Sequence, residues 1–246
     1  MKFPAILTLT VSALLAFGLS GCGLDKSVTG PEPTAFLKST GTDTKHKVER
    51  LPFQHAWRDP KMVIADYKYI VVRPVTTAYI NSDQWVESKS AFVPDKRTYM
   101  KRVSALATYW NKSLSKAFSS PVCVFYKTSD TSRPGTLILE VALTEVRFDP
   151  QAPAKLPDPT PAGNVTSVIT GLPICAFEVR VRDAATGKIV STASDRRAPE
   201  IRVLDPNVTT GAIPNEKICD EWSQQLMEAS NIDLFPKVKR NWFSFY

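Results

Sequence analysis

Ile174 to Ser194 reads ICAFEVRVRDAATGKIVSTAS, and this stretch decides the fold. Apolar and charged residues alternate from Ile174 to Asp183, a pattern typical of a strand with one buried and one solvated face. Asp183 to Gly187 predicts a hairpin loop, because Gly187 can adopt the positive φ that such loops need. Ile189 to Ser194 then returns as the partner strand. The stretch therefore predicts two antiparallel strands of a sheet with one buried face, which other elements of the chain must cover.

Outside the hairpin, the chain supplies three more strands and two helices. The predicted strands are Tyr69 to Val75, Val122 to Tyr126 and Leu137 to Phe148, and the predicted helices are Asp95 to Phe118 and Glu216 to Ser230. Val122 to Tyr126 is apolar on both faces, which favours a central position in the sheet. Each helix has one apolar stripe at three-to-four spacing, and Asp95 is a suitable N-cap.

The resulting order is β-α-β-β-β-β-α, and the predicted fold class is α/β (α+β). We expect a two-layer mixed sheet of about five strands with both helices on one face. The crossover through the first helix is long enough to join a parallel pair, and the remaining pairs are expected to be antiparallel. Residues 35–246 are predicted to form this single domain, with a proline-rich surface loop at 151–171.

The first 22 residues predict export and a lipid anchor. Lys2 precedes an apolar run from Ile6 to Leu19, which is too short and too polar to span a membrane, because spanning takes about 20 apolar residues. The stretch from Leu19 to Cys22 resembles the lipobox of bacterial lipoproteins, whose cysteine receives a diacylglycerol thioether and an N-acyl chain. Residues 1–21 are therefore predicted to be a signal peptide and Cys22 the lipid attachment site.

The same resemblance implies a location. An Asp after the lipidated cysteine retains a lipoprotein at the inner membrane, and Gly23 stands there instead. In a Gram-negative cell this implies lipid anchoring at the outer membrane, with the domain facing the periplasm. Residues 22–34 lack apolar periodicity and contain glycine and proline, so they are predicted to be a lipidated flexible tether.

The charge balance fits either acidic partners or a merely solvated basic surface, and of these two it favours the solvated surface. Lys and Arg exceed Asp and Glu by 31 to 24, and with Lys2 in the leader the mature chain keeps 30 against 24. A basic surface favours nucleic acid or other polyanions, but export removes nucleic acid. We expect contact with the membrane through the lipid, and with an envelope protein or an anionic envelope polymer. The sequence does not predict an oligomeric state.

Several of these segments also resemble a known family. They are Tyr69 to Val75, Ala107 to Phe118, Val141 to Val146, Ala176 to Arg197 and Trp222 to Ala229. They resemble an uncharacterised family of proteobacterial outer-membrane lipoproteins, known as a domain of unknown function. More distantly, the strand–helix–strand start and the hairpin are similar to the TolB amino-terminal domain and the curli-secretion lipoproteins. Those domains mostly bind other envelope components, which implies a binding role here.

Catalytic and metal motifs are missing from the sequence. It contains no P-loop, GxGxxG, HExxH, CxxC or nucleophile elbow. His46 and His55 are nine residues apart, with no cysteine or carboxylate cluster at metal-ligand spacing. We therefore predict no catalytic residue, no metal and no cofactor, and a protein that is not an enzyme.

The outward faces of two strands carry the remaining candidate site. Glu140, Glu178, Arg180 and Arg182 are predicted to share one exposed sheet face, as a docking surface or as ordinary cross-strand ion pairs. An alternative is an envelope hydrolase that uses Glu140 and Glu178 as a carboxylate pair. A third possibility is a lipid-binding module, which would need an apolar cavity between sheet and helices.

The cysteines predict one disulfide. Lipidation consumes Cys22 and leaves three cysteines in a compartment that permits disulfides. Cys175 faces the buried side of its strand, and Cys219 lies at the edge of the apolar stripe of the last helix. We expect Cys175 and Cys219 to be bonded and Cys123 to be free, with three buried thiols as the alternative.

The last ten residues, Lys237 to Tyr246, combine basic and aromatic side chains. We expect this tail to pack on the domain. A membrane-surface or partner-binding tail is the alternative.

Overall fold

The computed structural model describes residues 30–42, 51–81, 83–89, 93–148, 174–198 and 213–231. Six strands form one mixed sheet: β1 His55–Arg58, β2 Tyr69–Val72, β3 Lys127–Thr128, β4 Thr136–Arg147, β5 Ile174–Asp183 and β6 Ile189–Arg197. The helices are α1 Ala35–Lys38, α2 Gln84–Glu87, α3 Lys96–Phe118 and α4 Ile213–Ser230, with a 3₁₀ turn at Ile64–Asp66. The predicted α/β class and the order of the long elements are confirmed.

The sheet has the spatial order β1-β6-β5-β4-β2-β3. β4, β5, β6 and β1 pair antiparallel in succession, whereas β2 runs parallel to both β4 and β3. The parallel crossover through α3 was predicted. The sheet has six strands instead of about five, because β1 adds itself to the edge at β6. A four-residue strand is too short to show an alternating pattern, so the sequence around Trp57 did not reveal it.

The predicted central strand from Val122 to Tyr126 is wrong. These residues form no strand, and the two exposed residues of β3 follow them at the edge of the sheet. Val122 and Val124 are 58% and 59% exposed, while Cys123 and Tyr126 are buried. The apolar run follows directly on the end of α3 and is mostly a turn, in which the Cys123 amide donates to the Ser120 carbonyl at 2.9 Å. Two residues point inward at a spacing of three, and the valines face outward.

One face of the sheet, the inner face, packs against α3 and α4. Trp110, Phe177 and Trp222 meet there with ring centroids 4.6 to 5.4 Å apart, and all three are fully buried. Asp95 caps α3 as predicted, since its carboxylate accepts from the Thr98 amide at 2.8 Å. The prediction that both helices cover the same face is confirmed.

A bulge in β4 keeps its apolar residues on that inner face. The register shifts between Leu143 and Glu145, so Val146 stays buried while Glu145 turns to the outer face. Gln84 of α2 satisfies the backbone at this point: its amide donates to the Thr144 carbonyl at 3.1 Å and its Oε1 accepts from the Val146 amide at 3.2 Å. A bulge interrupts the ladder, and here a side chain replaces the missing partner.

The opposite face, the outer face, is covered in part by residues 30–42, which we call the N-terminal strap. Pro31 and Pro33 are buried, and α1 follows at once. The predicted tether of residues 22–34 is described only from Gly30 onward, and this part is packed on the domain. The packed chain therefore begins before the predicted boundary at residue 35.

In the part of the chain that the structure describes, we find no helix with the length and apolarity needed to cross a membrane.

Candidate functional site

Glu178 lies at the centre of the contact between strap and sheet. Its side chain is fully buried in the middle of β5. The Thr34 amide donates to Oε1 at 2.5 Å, and the Thr34 hydroxyl donates to Oε2 at 2.6 Å. Thr34 is also the N-cap of α1, because its hydroxyl accepts from the Phe36 amide at 3.1 Å. One carboxylate thus binds the residue that starts α1 through both of its oxygens.

Arg180 extends this contact by two residues along β5. Its Nε donates to Glu140 Oε2 at 2.6 Å, and Nη1 donates to the Phe36 carbonyl at 3.1 Å. The guanidinium also lies 4.2 Å from the centre of the Phe36 ring. Arg182 joins the same Glu140 oxygen at 3.3 Å and donates to the Gly187 carbonyl at 2.6 Å. These groups hold one another by directional, charge-assisted bonds.

The structure therefore brings Glu140, Arg180 and Arg182 together as predicted, and it corrects Glu178. The prediction that Glu178 faces solvent is wrong, because the strap covers it. Alternation along β5 correctly assigned its face but could not show that the chain itself occupies that face. The only local signal was Thr34 followed by an apolar pair, which is typical of a helix start.

A small apolar cluster completes the strap contact. Phe36 and Leu37 are buried against Ala142 of β4, and Tyr79 packs on Phe36 edge to face with centroids 5.2 Å apart. At the other end of the strap, Gly30 lies against His55. A Cβ on Gly30 would lie 2.7 Å from Cε1 of that ring, so any other residue here would displace the His55 side chain.

An open cleft of about 400 Å³ lies between the strap and the outer face. Its lining includes Gly30, Tyr79, Gln84, Glu145 and Arg196. Glu145 accepts two bonds from Arg196, at 2.6 and 3.1 Å, and pairs with Arg147 at 2.8 Å. Burial raises the pKa of Glu145, but Arg196 and Arg147 outweigh it, and the pKa lies below the usual 4.5. The cleft therefore contains a carboxylate that its arginines keep ionised.

The inner face contains a second charged group that the sequence did not reveal. Asp195 is buried beneath α4, and its Oδ2 accepts from Arg197 Nε at 2.7 Å and from Trp222 Nε1 at 2.8 Å. Burial raises the pKa of this carboxyl above 3.8 and outweighs Arg197 and the hydrogen bonds, which lower it. The predicted strand ended at Ser194, one residue too early to place Asp195 on a sheet face.

All three cysteines in the described residues are free thiols, and all are buried. The predicted bond between Cys175 and Cys219 is not formed in the structure. The two residues are neighbours, as expected, because each lies in the interface between β5 and α4. Burial raises the pKa of both thiols, and for Cys219 the charge of the nearby Cys175 would raise it further. Burial also raises the pKa of the Cys123 thiol.

Several predicted features lie outside the described residues. They are the signal peptide at 1–21, Cys22, His46, the loop at 151–171 and the tail from Lys237 to Tyr246. His55 is described, and its Nδ1 lies 3.3 Å from the Ser194 hydroxyl. No group of three His, Cys, Asp or Glu residues at metal-binding distance occurs among the described residues.

Comparison with known proteins gives a family and a set of distant structures. The model of a family described as "Protein of unknown function (DUF3313)" matches residues 41–226. A search of curated proteins finds no match to this chain.

Three solved structures are similar over most of their length. The PelC dodecamer from Paraburkholderia phytofirmans has 11% identity and a TM-score of 0.35, covering 70% of this chain and 94% of that chain. The DUF330 protein XCC0632 from Xanthomonas campestris has 11% identity and a TM-score of 0.33, over 71% and 89%. Lipoprotein GNA1162 from Neisseria meningitidis has 12% identity and a TM-score of 0.25, over 63% and 98%. Scores this low carry no functional argument, and the similarity to TolB and the curli-secretion lipoproteins stays a prediction.

Proposed function

The chain belongs to the DUF3313 family of proteins of unknown function, and from that premise we propose that it is a lipid-anchored envelope protein that binds other envelope components. The mature protein begins at Cys22, whose lipid holds it at the outer membrane with the domain in the periplasm. Its partner is an envelope protein or an anionic envelope polymer. It works by binding, without a catalytic step, a metal or a cofactor.

The observation that carries this proposal is the pair of bonds between Thr34 and Glu178. They fasten the chain to the sheet only twelve residues after the proposed anchor, in a contact that excludes water from the carboxylate. Because the link to the lipid is so short, the domain can adopt only a limited range of orientations relative to the membrane. A limited range of orientations suits a membrane-anchored protein that binds partners in the envelope.

The docking surface is smaller than the four residues that the sequence suggested. The strap occupies Glu178 and one side of Arg180. Glu140 and Arg182 keep 26% and 30% of their side chains exposed and lie beside the β5–β6 hairpin. We propose that this partly exposed patch of the outer face, which we call the docking patch, receives the partner.

The two alternative functions find less support. A carboxylate pair for glycoside hydrolysis must flank a substrate bond. Here Glu140 binds two arginines and Glu178 lies buried under Thr34. A lipid-binding module needs a large apolar cavity, and the apolar cavity that Phe53, Phe118 and Leu226 line between the sheet and the helices measures about 70 Å³. Small-molecule sites usually measure about 300–1,000 Å³.

The anchor is tested by Cys22→Ser. We expect this variant to lose lipid labelling and to be recovered from the periplasm or as uncleaved precursor, while the wild type fractionates with membranes. Two acyl chains or more hold a protein firmly, so the difference is large. Lipid labelling that survives the substitution would contradict the anchor.

The docking patch is tested by Arg182→Glu in the native envelope. We expect this change to remove the crosslinked partner seen with the wild type, while circular dichroism stays unchanged. Lys127→Glu is the matched control, because Lys127 is exposed on the edge strand β3, away from the docking patch. Loss of the crosslink in both variants, or in neither, would contradict docking at this patch.

A further inference from the structure

The chain between the proposed lipid and the strap is short. Eight residue steps separate Cys22 from Gly30. A fully extended chain spans at most about 3.6 Å per residue, so Gly30 lies within about 29 Å of Cys22 whatever these residues do. With the proposed anchor, the end of the domain that contains Gly30 stays within reach of the membrane.

The same end contains α2 and the start of α3. Gly30 and Gln84 line one cleft, which places the beginning of the strap beside α2. Gln84 Oε1 in turn accepts from the Tyr99 hydroxyl at 3.4 Å, and Tyr99 belongs to the first turn of α3. The hairpin tip lies at the opposite end. From Ala176, which also lines the cleft, β5 runs seven residues to Asp183, or about 23 Å at the usual rise of a strand.

This end bears a cluster of exposed basic side chains. Lys89, Lys96, Arg97 and Lys101 are exposed and form no ion pair with any residue that the structure describes. Among the acids beside them, Asp95 accepts from Thr98 with both oxygens, and the nearby charge of Arg97 helps to lower the pKa of this carboxyl. Asp83 and Glu32 each have a contact of their own.

The placement of these charges opposes helix stability. α3 contains six basic and no acidic residues, and Lys96 and Arg97 stand in its first turn. The amino-terminal end of a helix carries partial positive charge, so basic residues there are unfavourable in isolation. The Asp95 carboxylate at the N-cap offsets part of this penalty, and a negatively charged partner would offset more of it.

We propose that the end of the domain bearing Lys89, Lys96, Arg97 and Lys101 lies against the anionic lipid surface of the membrane that holds Cys22. The inference rests on the proposed lipid anchor. A lipid surface is favoured over a polymer because the short chain keeps this end within reach of the membrane, where the basic side chains can hold it. Each basic residue close to an anionic surface strengthens association roughly fivefold, so Lys96, Arg97 and Lys101 together contribute on the order of a hundredfold.

The test uses the full-length lipoprotein in vesicles of phosphatidylethanolamine and brominated phosphatidylglycerol. A thiol-reactive fluorophore is placed at Val86→Cys or at Ala185→Cys. Val86 is 56% exposed in α2, and Ala185 is exposed at the hairpin tip. The native thiols are buried and do not compete. We expect strong quenching by the brominated lipid at position 86 and none at position 185.

Charge variants test the contact itself. The triple change Lys96→Glu, Arg97→Glu and Lys101→Glu should lower quenching at position 86 to the level seen at 185. Lys112→Glu with Lys116→Glu is the matched control on the same helix, because both residues are exposed near its far end, and quenching should persist.

The outcomes separate the two proposals. Protein that fails to float with the vesicles would overturn the anchor and the orientation with it. Protein that floats with equal quenching at both positions, or with none at position 86, would overturn the orientation alone. If position 86 is not quenched and the protein binds peptidoglycan sacculi through its basic end, the polymer and not the lipid surface is the partner of that end.

Discussion

The two faces of the sheet are covered by different means. On the inner face, α3 and α4 cover aromatic and aliphatic side chains, centred on Trp110, Phe177 and Trp222. On the outer face, the strap covers Glu178 and Arg180 through hydrogen bonds and one aromatic ring. Apolar burial is large and non-directional, whereas charge-assisted bonds are few and depend on geometry. The inner face therefore supplies stability, and the outer face fixes where the amino-terminal chain lies.

The largest effect is expected on the inner face. Trp222→Ala removes a fully buried side chain and its bond to Asp195, and should lower the free energy of unfolding by about 3–5 kcal/mol. Urea denaturation measures this loss of free energy. Trp57→Ala is the control, because Trp57 lies half-buried on the edge strand β1 and its substitution should lower the free energy of unfolding clearly less. Equal losses would mean that the aromatic cluster is not the centre of the core.

A smaller effect is expected under the strap. Glu178→Gln leaves one Thr34 donor facing an amide nitrogen, and should cost about 1–3 kcal/mol in the same assay. Thr34→Val should behave similarly, since it removes one of the two donors. Thr34→Ser keeps both donors and should be close to neutral. If all three variants matched the wild type, the strap would not depend on this carboxylate.

The two faces should also respond oppositely to acid. The folded-state pKa of Glu145 lies below 4.5, so its contribution is present above that pH and is lost as the pH falls through the folded pKa. The folded-state pKa of Asp195 lies above 3.8, so ionised Asp195 costs stability at neutral pH, and this cost disappears as the pH falls towards 3.8.

Urea denaturation between pH 3 and pH 7 separates the two carboxyls. Glu145→Gln should flatten the decline of stability on acidification, whereas Asp195→Asn should steepen it. The same change of slope in both variants would show that burial does not dominate at Asp195.

The smallest effect is expected at Arg180. Lysine keeps the charge but loses the planar fork that reaches Glu140 and the Phe36 carbonyl while stacking on the Phe36 ring. Arg180→Lys should cost about 0.5–1 kcal/mol, as expected for a partly exposed cation–π contact. Arg133→Lys is a control on the other side of the sheet, because Arg133 stacks on Tyr69 away from the strap. Only Arg180→Lys should increase proteolysis within residues 30–42.

Long strands could be predicted from the sequence, whereas short strands and contacts between distant residues could not. β5 was predicted from Ile174 to Asp183, as observed, because alternation over ten residues is a strong signal. β1 and β3 have four and two residues, too few for any periodicity, and their positions depend on the strands they join. The strap depends on a contact between Thr34 and Glu178, which are 144 residues apart, and no local pattern encodes it.

The cysteines show the same limit. The sequence placed Cys175 and Cys219 correctly in one interface, because each shares a face with predicted apolar residues. Whether two neighbouring thiols bond depends on separation and on the direction of each Cβ, which face assignment does not supply.

Amide hydrogen exchange at Thr34, measured by NMR in the wild-type protein, tests most directly whether the strap is fixed to the sheet. We expect the Thr34 amide to exchange slowly and to lose this protection in Glu178→Leu, which removes both acceptor oxygens, while the backbone amides in the middle of β5, between β4 and β6, stay protected in both proteins. A wild-type Thr34 amide that exchanges as fast as an unstructured peptide, beside a protected β5, would contradict the account.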